Sequence, residues 1–286
     1  MRIFFAAYPV KFPWPPEMNS KLKDKLVVLT GASGGIGQAI AEKLVAQGAR
    51  LILVGRNEQK LKSLIAKLGN RGHEALLADI GSNDGREHLR RYCESLGANG
   101  INLLVNCAGV NEFALFEEQS QQAMADTINI NLLSPMLICH DLLPMLMQCD
   151  QAQIVNIGST FGSIGFPGFG AYCASKFGLR GFTESLRREL ADSSVQVSYI
   201  APRATQTGLN SDKLVAMNNQ LGTAMDKPSV VADQVLRAIS DRSRLDRYMG
   251  WPEKLFVKVN ALLPSLVDSS LRKQLPIIRR FAKHEA

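Results

Sequence analysis

Tyr172 and Lys176 stand four residues apart, and Ser159 lies thirteen residues upstream of the tyrosine. On a helix, residues four apart share a face, so a phenol and an ammonium would point into the same space. A free tyrosine hydroxyl has a pKa of ~10, too high for efficient proton transfer near neutrality, and a fixed cation beside it favours the phenolate. Lowering that pKa by ~3 units takes ~4 kcal/mol of differential interaction, within reach of a close, partly desolvated ammonium. The pair therefore reads as a tuned acid/base. Tyr-x-x-x-Lys is common on helices, and Ser159 alone would be a turn residue or cap, so the weight rests on what surrounds them.

Near the start of the chain a strand-like run leads into Thr30-Gly31-Ala32-Ser33-Gly34-Gly35-Ile36-Gly37 and then a helical pattern. Glycines allow positive φ and close backbone approach, and a helix N-terminus attracts a pyrophosphate. The spacing is GxxxGxG rather than the GxGxxG dinucleotide fingerprint. A NAD site would place an acid about 20 residues further on, on the ribose 2′-hydroxyl. Here the second strand ends Leu53-Val54-Gly55-Arg56-Asn57, with an arginine and no acid. The planar fork of Arg56 suits a 2′-phosphate, which points to NADP(H). Asp79, followed by Ile80, ends the third strand and has two readings: an adenine contact or a cap on the next helix. Asn106-Cys107-Ala108-Gly109 ends the fourth strand in small residues that would leave room for a cofactor.

The elements needed to position these groups are legible as short apolar runs alternating with longer helical patterns, an α/β doubly wound parallel sheet. Strands are expected at Leu26–Leu29, Arg50–Val54, Glu74–Ala78, Asn102–Val105, Gln153–Ile157, Gln196–Ile200 and, briefly, Tyr248–Met249. Helices are expected at Ile36–Gln47, Gln59–Leu68, Asn83–Ser95, Glu118–Met147, Tyr172–Leu190 and Val230–Ser240. The 286 residues, 46% hydrophobic and 21% charged, suit two small domains or one large one, and as nothing resembles a second catalytic domain a single one is read. This is expected over 21–250, with a flexible arm at 1–20 and a basic amphipathic helical extension at 251–286. Five scattered cysteines without CxxC or Cys/His spacing argue for a reducing, cytoplasmic setting and against disulfides or a metal site. No stretch reads as a bilayer span. Between Lys254 and Ala286 seven Lys or Arg face Asp268 and Glu285, so +5 of the net +7 sits there and a general nucleic-acid surface is not implied.

Thr30-Gly31, Gly35-Ile36-Gly37, Asn106 to Gly109, Asn131, Ser159 and Tyr172 with Lys176 together resemble the short-chain dehydrogenase/reductase family, in order and spacing over about 24–210. The resemblance implies a Rossmann-type fold, a nicotinamide cofactor and carbonyl/alcohol redox chemistry on a small molecule. Tyr172 would be the general acid in reduction, Lys176 would bind the nicotinamide ribose and lower the Tyr172 pKa, and Ser159 would hold the carbonyl oxygen. Asn131, favoured over Asn129, would bend its helix and hold a proton-relay water. Pro202, Thr205 and Thr207 match cofactor-contacting positions, and relatives are commonly dimers or tetramers. Arg203 departs from the usual glycine and leaves two readings: outward, or toward an acidic substrate.

Beyond Leu209 a helical apolar stripe, Leu214, Met217, Leu221 and Met225, suits core packing or a hydrophobic lid. The final segment suits its own domain, a partner subunit or an anionic membrane surface. A hydrophobic ketone or aldehyde is the favoured substrate. The competing readings are a nucleotide-binding regulatory protein without turnover, and an epimerase or dehydratase on the same fold.

Overall fold

Runs dominated by Val, Ile and Leu become parallel strands where both faces are covered and every backbone polar group is paired. The computed structural model describes residues 22–69, 71–97, 100–241 and 246–283. Seven strands form one parallel sheet: β1 Leu26–Thr30, β2 Arg50–Gly55, β3 Glu74–Leu77, β4 Leu103–Asn106, β5 Ala152–Ile157, β6 Val195–Ala201 and β7 Asp246–Tyr248. Their order is β3-β2-β1-β4-β5-β6-β7. The direction of winding reverses between β1 and β4, and such a sheet opens its binding crevice at the carboxyl ends of the strands beside that reversal. All seven expected strands are present, and the fold is the doubly wound α/β sheet read from the sequence.

Helices cover both faces. On one side α1 (Gly35–Ala46) turns Ile40, Ala41 and Leu44 inward, in one core with Val231, Ala232 and Val235 of α8 (Pro228–Ser240). On the other, Leu89 of α3 (Asn83–Ser95) shares a core with Ile138, Leu142 and Leu146 of α5 (Ser134–Met147). α2 (Glu58–Leu68) starts at an Asn57 side-chain cap and stops at Gly69, whose φ of 86° ends the helix in the left-handed region.

The helix expected from Glu118 begins at Gln121, because the Ser120 side chain accepts from Ala123 N and caps α4 (Gln121–Ile128). A π turn at Asn129–Leu133 joins α4 to α5. The continuous stretch Gln121–Met147, 27 residues, is long and apolar enough to span a bilayer by length and composition, contrary to the sequence reading. It flanks the sheet instead, with Asn131, Ile138, Leu142 and Leu146 buried.

α6 (Gly170–Glu189) begins two residues before Tyr172. α7 (Asp212–Leu221) buries Leu214 and Met217, and Gly222 at φ 68° ends it before Met225. The chain closes with α9 (Glu253–Leu262) and α10 (Pro264–Ala282). Ile278 and Phe281 of α10 pack with Leu214, Met217, Phe169 and Tyr172, so the C-terminal segment covers the start of α6. The arm expected at 1–20 lies outside the described residues.

Candidate active site

A groove of about 600 Å³ crosses the carboxyl ends of β1, β2, β3 and β4. Gly31, Ser33, Gly35, Ile36, Gly37, Arg56, Asp79, Ile80, Ala108, Gly109 and Thr207 all line it. Two glycines are dictated by the backbone itself. Gly31 has φ 65°, and a Cβ there would stand 2.6 Å from Ala108 Cα; a Cβ on Gly37 would overlap the Gly31 carbonyl. The α1 N-cap, Gly34, offers no side-chain cap, so the first N–H groups of that helix stay open to an anion. Thr30 has a defined task. Its Oγ1 accepts from Cys107 N at 3.1 Å and Ala108 N at 3.3 Å, stapling the tips of β1 and β4.

One expectation changes here, one open choice narrows and one position gains a neighbour. Asn106 does not reach the groove: its Nδ2 donates to Asn156 Oδ1 at 2.9 Å, bracing β4 against β5. Asp79 does not cap α3; Ser82 does, while Asp79 Oδ1 accepts from Gly81 N at 3.0 Å in the groove wall. Arg56 is exposed at the rim and is joined there by Lys60, one turn into α2, a second cation that the sequence reading missed. Its only signal in the sequence was its place four residues after Arg56.

Beside the groove, a cavity of about 180 Å³ has Ser159 and Tyr172 in its wall with Phe161, Phe166, Phe169, Leu214 and Met217. Ser159 follows β5 and caps a short 3₁₀ turn by accepting from Phe161 N at 3.1 Å. The loop is seated on Tyr199 of β6, whose hydroxyl accepts from Ser159 N at 3.3 Å and donates to Ser159 O at 3.2 Å. Gly158 and Gly162 are small because a Cβ on either would overlap the buried Tyr199 ring or hydroxyl. Tyr199 supports the serine and was not singled out by sequence, where it looks like any strand aromatic.

Lys176 is buried, and its Nζ donates to Ile157 O at 3.0 Å and lies 5.7 Å from the Tyr172 ring centroid. Burial pulls its pKa down to about 8, opposed by the Cys107 thiol. Burial pushes the Tyr172 phenol up to about 12, with the Ser159 hydrogen bond acting in the opposite direction. The sequence argument had the ammonium acidifying the phenol. In the structure burial is the largest influence on both groups and shifts each toward its neutral form, because desolvation disfavours each charged form. Asn131 is fully buried in the π turn: its Nδ2 donates to Val110 O at 2.8 Å and Ser175 Oγ at 3.1 Å, and its Oδ1 accepts from Val110 N at 2.8 Å. It locks the chain after Gly109 to the helix carrying Tyr172. Asn129 instead donates to Gly81 O at 2.8 Å.

Pro202, Thr205 and Thr207 reach the cavity wall, and Thr207 borders both cavity and groove, with its methyl against Gly35. Arg203 does not point outward; it borders the cavity, held there by two carboxylates of the chain itself. It makes a paired contact to Asp226, at 2.8 and 3.0 Å, and bonds both Glu253 oxygens at 3.2 Å. It ties the loops after β6 and α7 to the start of α9.

An open parallel sheet with a glycine-lined groove at its switch point and a Ser/Tyr/Lys cluster beside it defines a dinucleotide-binding enzyme architecture. The family profile described as short chain dehydrogenase matches residues 25–217, and the chain belongs to that family. Bovine (Bos taurus) 3-oxoacyl-[acyl-carrier-protein] reductase is 34% identical over 203 residues, 70% of this chain and 84% of that protein. Among solved structures, a short-chain dehydrogenase/reductase from Burkholderia phymatum in complex with NAD is 24% identical with TM-score 0.76, covering 86% of this chain and 96% of its own. One from Burkholderia cenocepacia J2315 in complex with NADP is 22% identical with TM-score 0.74, covering 87% and 98%. The chain is thus an oxidoreductase of the short-chain dehydrogenase family.

Proposed function

We propose that this protein is an NADP(H)-dependent reductase of hydrophobic ketones or aldehydes, with Tyr172 as general acid. The observation that carries the reading is the meeting of Ser159 and Tyr172 in the wall of an apolar cavity that borders the glycine-lined groove. The groove fits a dinucleotide: Gly31 and Gly37 let the β1–α1 turn pack tightly on itself and on Ala108 beneath it, and α1 presents open N–H groups. Arg56 and Lys60 supply positive charge where a 2′-phosphate would lie, and no acid stands at the end of β2. When bound, the nicotinamide supplies the hydride.

The chain's own part is to bind the carbonyl and manage one proton. Ser159 Oγ and Tyr172 Oη donate to the substrate oxygen, where negative charge develops as the carbonyl is reduced. A phenol near 12 keeps its proton at neutral pH and gives it to the more basic alkoxide. Lys176, still cationic below about 8, favours the phenolate left behind. Asn131 acts by position, holding the Val110 backbone and Ser175 so that Tyr172 and Lys176 keep their spacing.

The apolar lining from Phe161 to Met217 supports a hydrophobic substrate. Exposed Leu133, Met136 and Phe177 on the α5–α6 side support a homo-oligomer. The five free cysteines support a cytoplasmic location. The test is absorbance at the reduced-nicotinamide band with a panel of ketones. We expect NADPH oxidation by the wild type and a loss of at least ~10³-fold in kcat with Tyr172→Phe. Full turnover by the phenylalanine variant, or failure to bind either pyridine nucleotide, defeats the proposal.

A further inference from the structure

The α9–α10 corner carries an apolar face that the described chain leaves uncovered. In α9 the inward side is fixed by buried Val257, by Asn260, whose Nδ2 donates to Ser163 O at 2.9 Å, and by Glu253, held by Arg203. Leu255 and Val259 flank Val257 at two residues on either side, about 200° around the helix, and Leu262 continues their stripe. A surface helix ordinarily turns one apolar stripe inward; α9 has a second one on the opposite side. Trp251 is 71% exposed and Leu262 79%, with Phe256, Leu263 and Leu266 also exposed around the bend at Pro264. Large apolar side chains gathered this closely on a surface mark a contact site.

Charge selects the occupant. Lys254 and Lys258 border the stripe, Arg272, Lys273 and Arg279 are exposed on α10, and Asp268 is the only acid among the described residues from Lys254 onward. A protein interface depletes charge at its centre or pairs it across the contact. Protruding leucines and a tryptophan edged by uncompensated cations instead match an anionic lipid surface, with apolar groups at the acyl boundary and cations among the phosphates. Lysine stems can lie along apolar surface while their heads stay at the headgroups.

We propose that the corner from Trp251 to Leu266, with the cations of α9 and α10 around it, docks this protein on an anionic membrane surface. Arg203 and Glu253 line the substrate cavity, and Asn260 holds the Ser163 carbonyl beside it, so the docked face adjoins the cavity wall. The proposal stands independently of the reaction assigned above.

Flotation of the full chain with vesicles of equimolar phosphatidylglycerol and phosphatidylcholine tests it. The wild type should float with these vesicles and partition at least about tenfold less onto pure phosphatidylcholine, since each cation near an anionic surface contributes about 1 kcal/mol. Raising salt from about 0.1 M to about 1 M, which cuts the screening length from ~10 Å to ~3 Å, should release it. Leu262→Ser/Leu263→Ser should lower partitioning about tenfold or more, with an unchanged thermal melt because both side chains are already exposed. Arg272→Gln/Lys273→Gln should lose the preference for anionic lipid. A wild type that stays with the unbound fraction, or a serine variant that floats as well as the wild type, overturns the proposal. So does a serine variant whose particle mass falls in sedimentation, which would make the corner a contact between two copies.

Discussion

Replacing Lys176 by methionine should abolish turnover and yet leave the fold no weaker at neutral pH. The ammonium is 4% exposed, and its pKa falls from an ordinary 10.5 to about 8. At ~1.4 kcal/mol per unit, keeping it charged at pH 7 costs the folded state about 3 kcal/mol. Methionine is similar in length and removes that burden. Against this, the charged hydrogen bond to Ile157 O is lost, worth roughly 1.5–3 kcal/mol. At pH 7 the two effects nearly cancel, leaving the variant about equal to the wild type or up to about 1–2 kcal/mol more stable.

The pH dependence isolates the first effect. Below pH 8 both folded and unfolded wild type hold the proton, and the stability difference between wild type and variant is flat. From about 8 to 10.5 the folded state has released it while the unfolded chain still binds it, so wild-type stability rises relative to the variant as pH increases. Stopping at about pH 10 stays below the ionisation of Tyr172, pushed up to about 12, and captures a rise of roughly 2–3 kcal/mol. Urea unfolding by far-UV circular dichroism at half-unit pH steps measures it. A flat difference across pH 7–10 would show that the ammonium is not desolvated and that the account of this pair is wrong.

Arg56→Ala and Lys60→Ala should each weaken NADPH more than NADH, by roughly tenfold for the arginine, in fluorescence titrations; equal losses for both cofactors would mean that neither side chain reads the 2′-phosphate. Gly158→Ala should destabilise by about 1–3 kcal/mol or more, because a methyl there overlaps the buried Tyr199 ring, and should disorder Ser159; a wild-type melting temperature would contradict this. Arg203→Ala leaves the partly buried carboxylates of Asp226 and Glu253 facing each other without their shared cation. It should raise KM more than it lowers kcat and increase protease sensitivity near α9, whereas unchanged kinetics and proteolysis would mean that the clamp is idle.

The sheet and its order of helices were legible because parallel strands, buried on both faces, must be apolar, and because glycine is the only residue that tolerates φ 65° beside Ala108. Types and intervals likewise exposed Ser159, Tyr172 and Lys176, since a helix turns residues four apart to one side whatever surrounds them. Water exclusion was not legible. Whether the phenol is driven down by a cation or up by burial depends on how many atoms from β5, α6 and the C-terminal helices close over it, and those come from distant parts of the chain. The same holds for Tyr199 under Ser159, for Arg203 turned onto Asp226 and Glu253, and for Asn106 turned into the sheet. Each partner lies more than twenty residues away, so only the folded chain could say which way those side chains point.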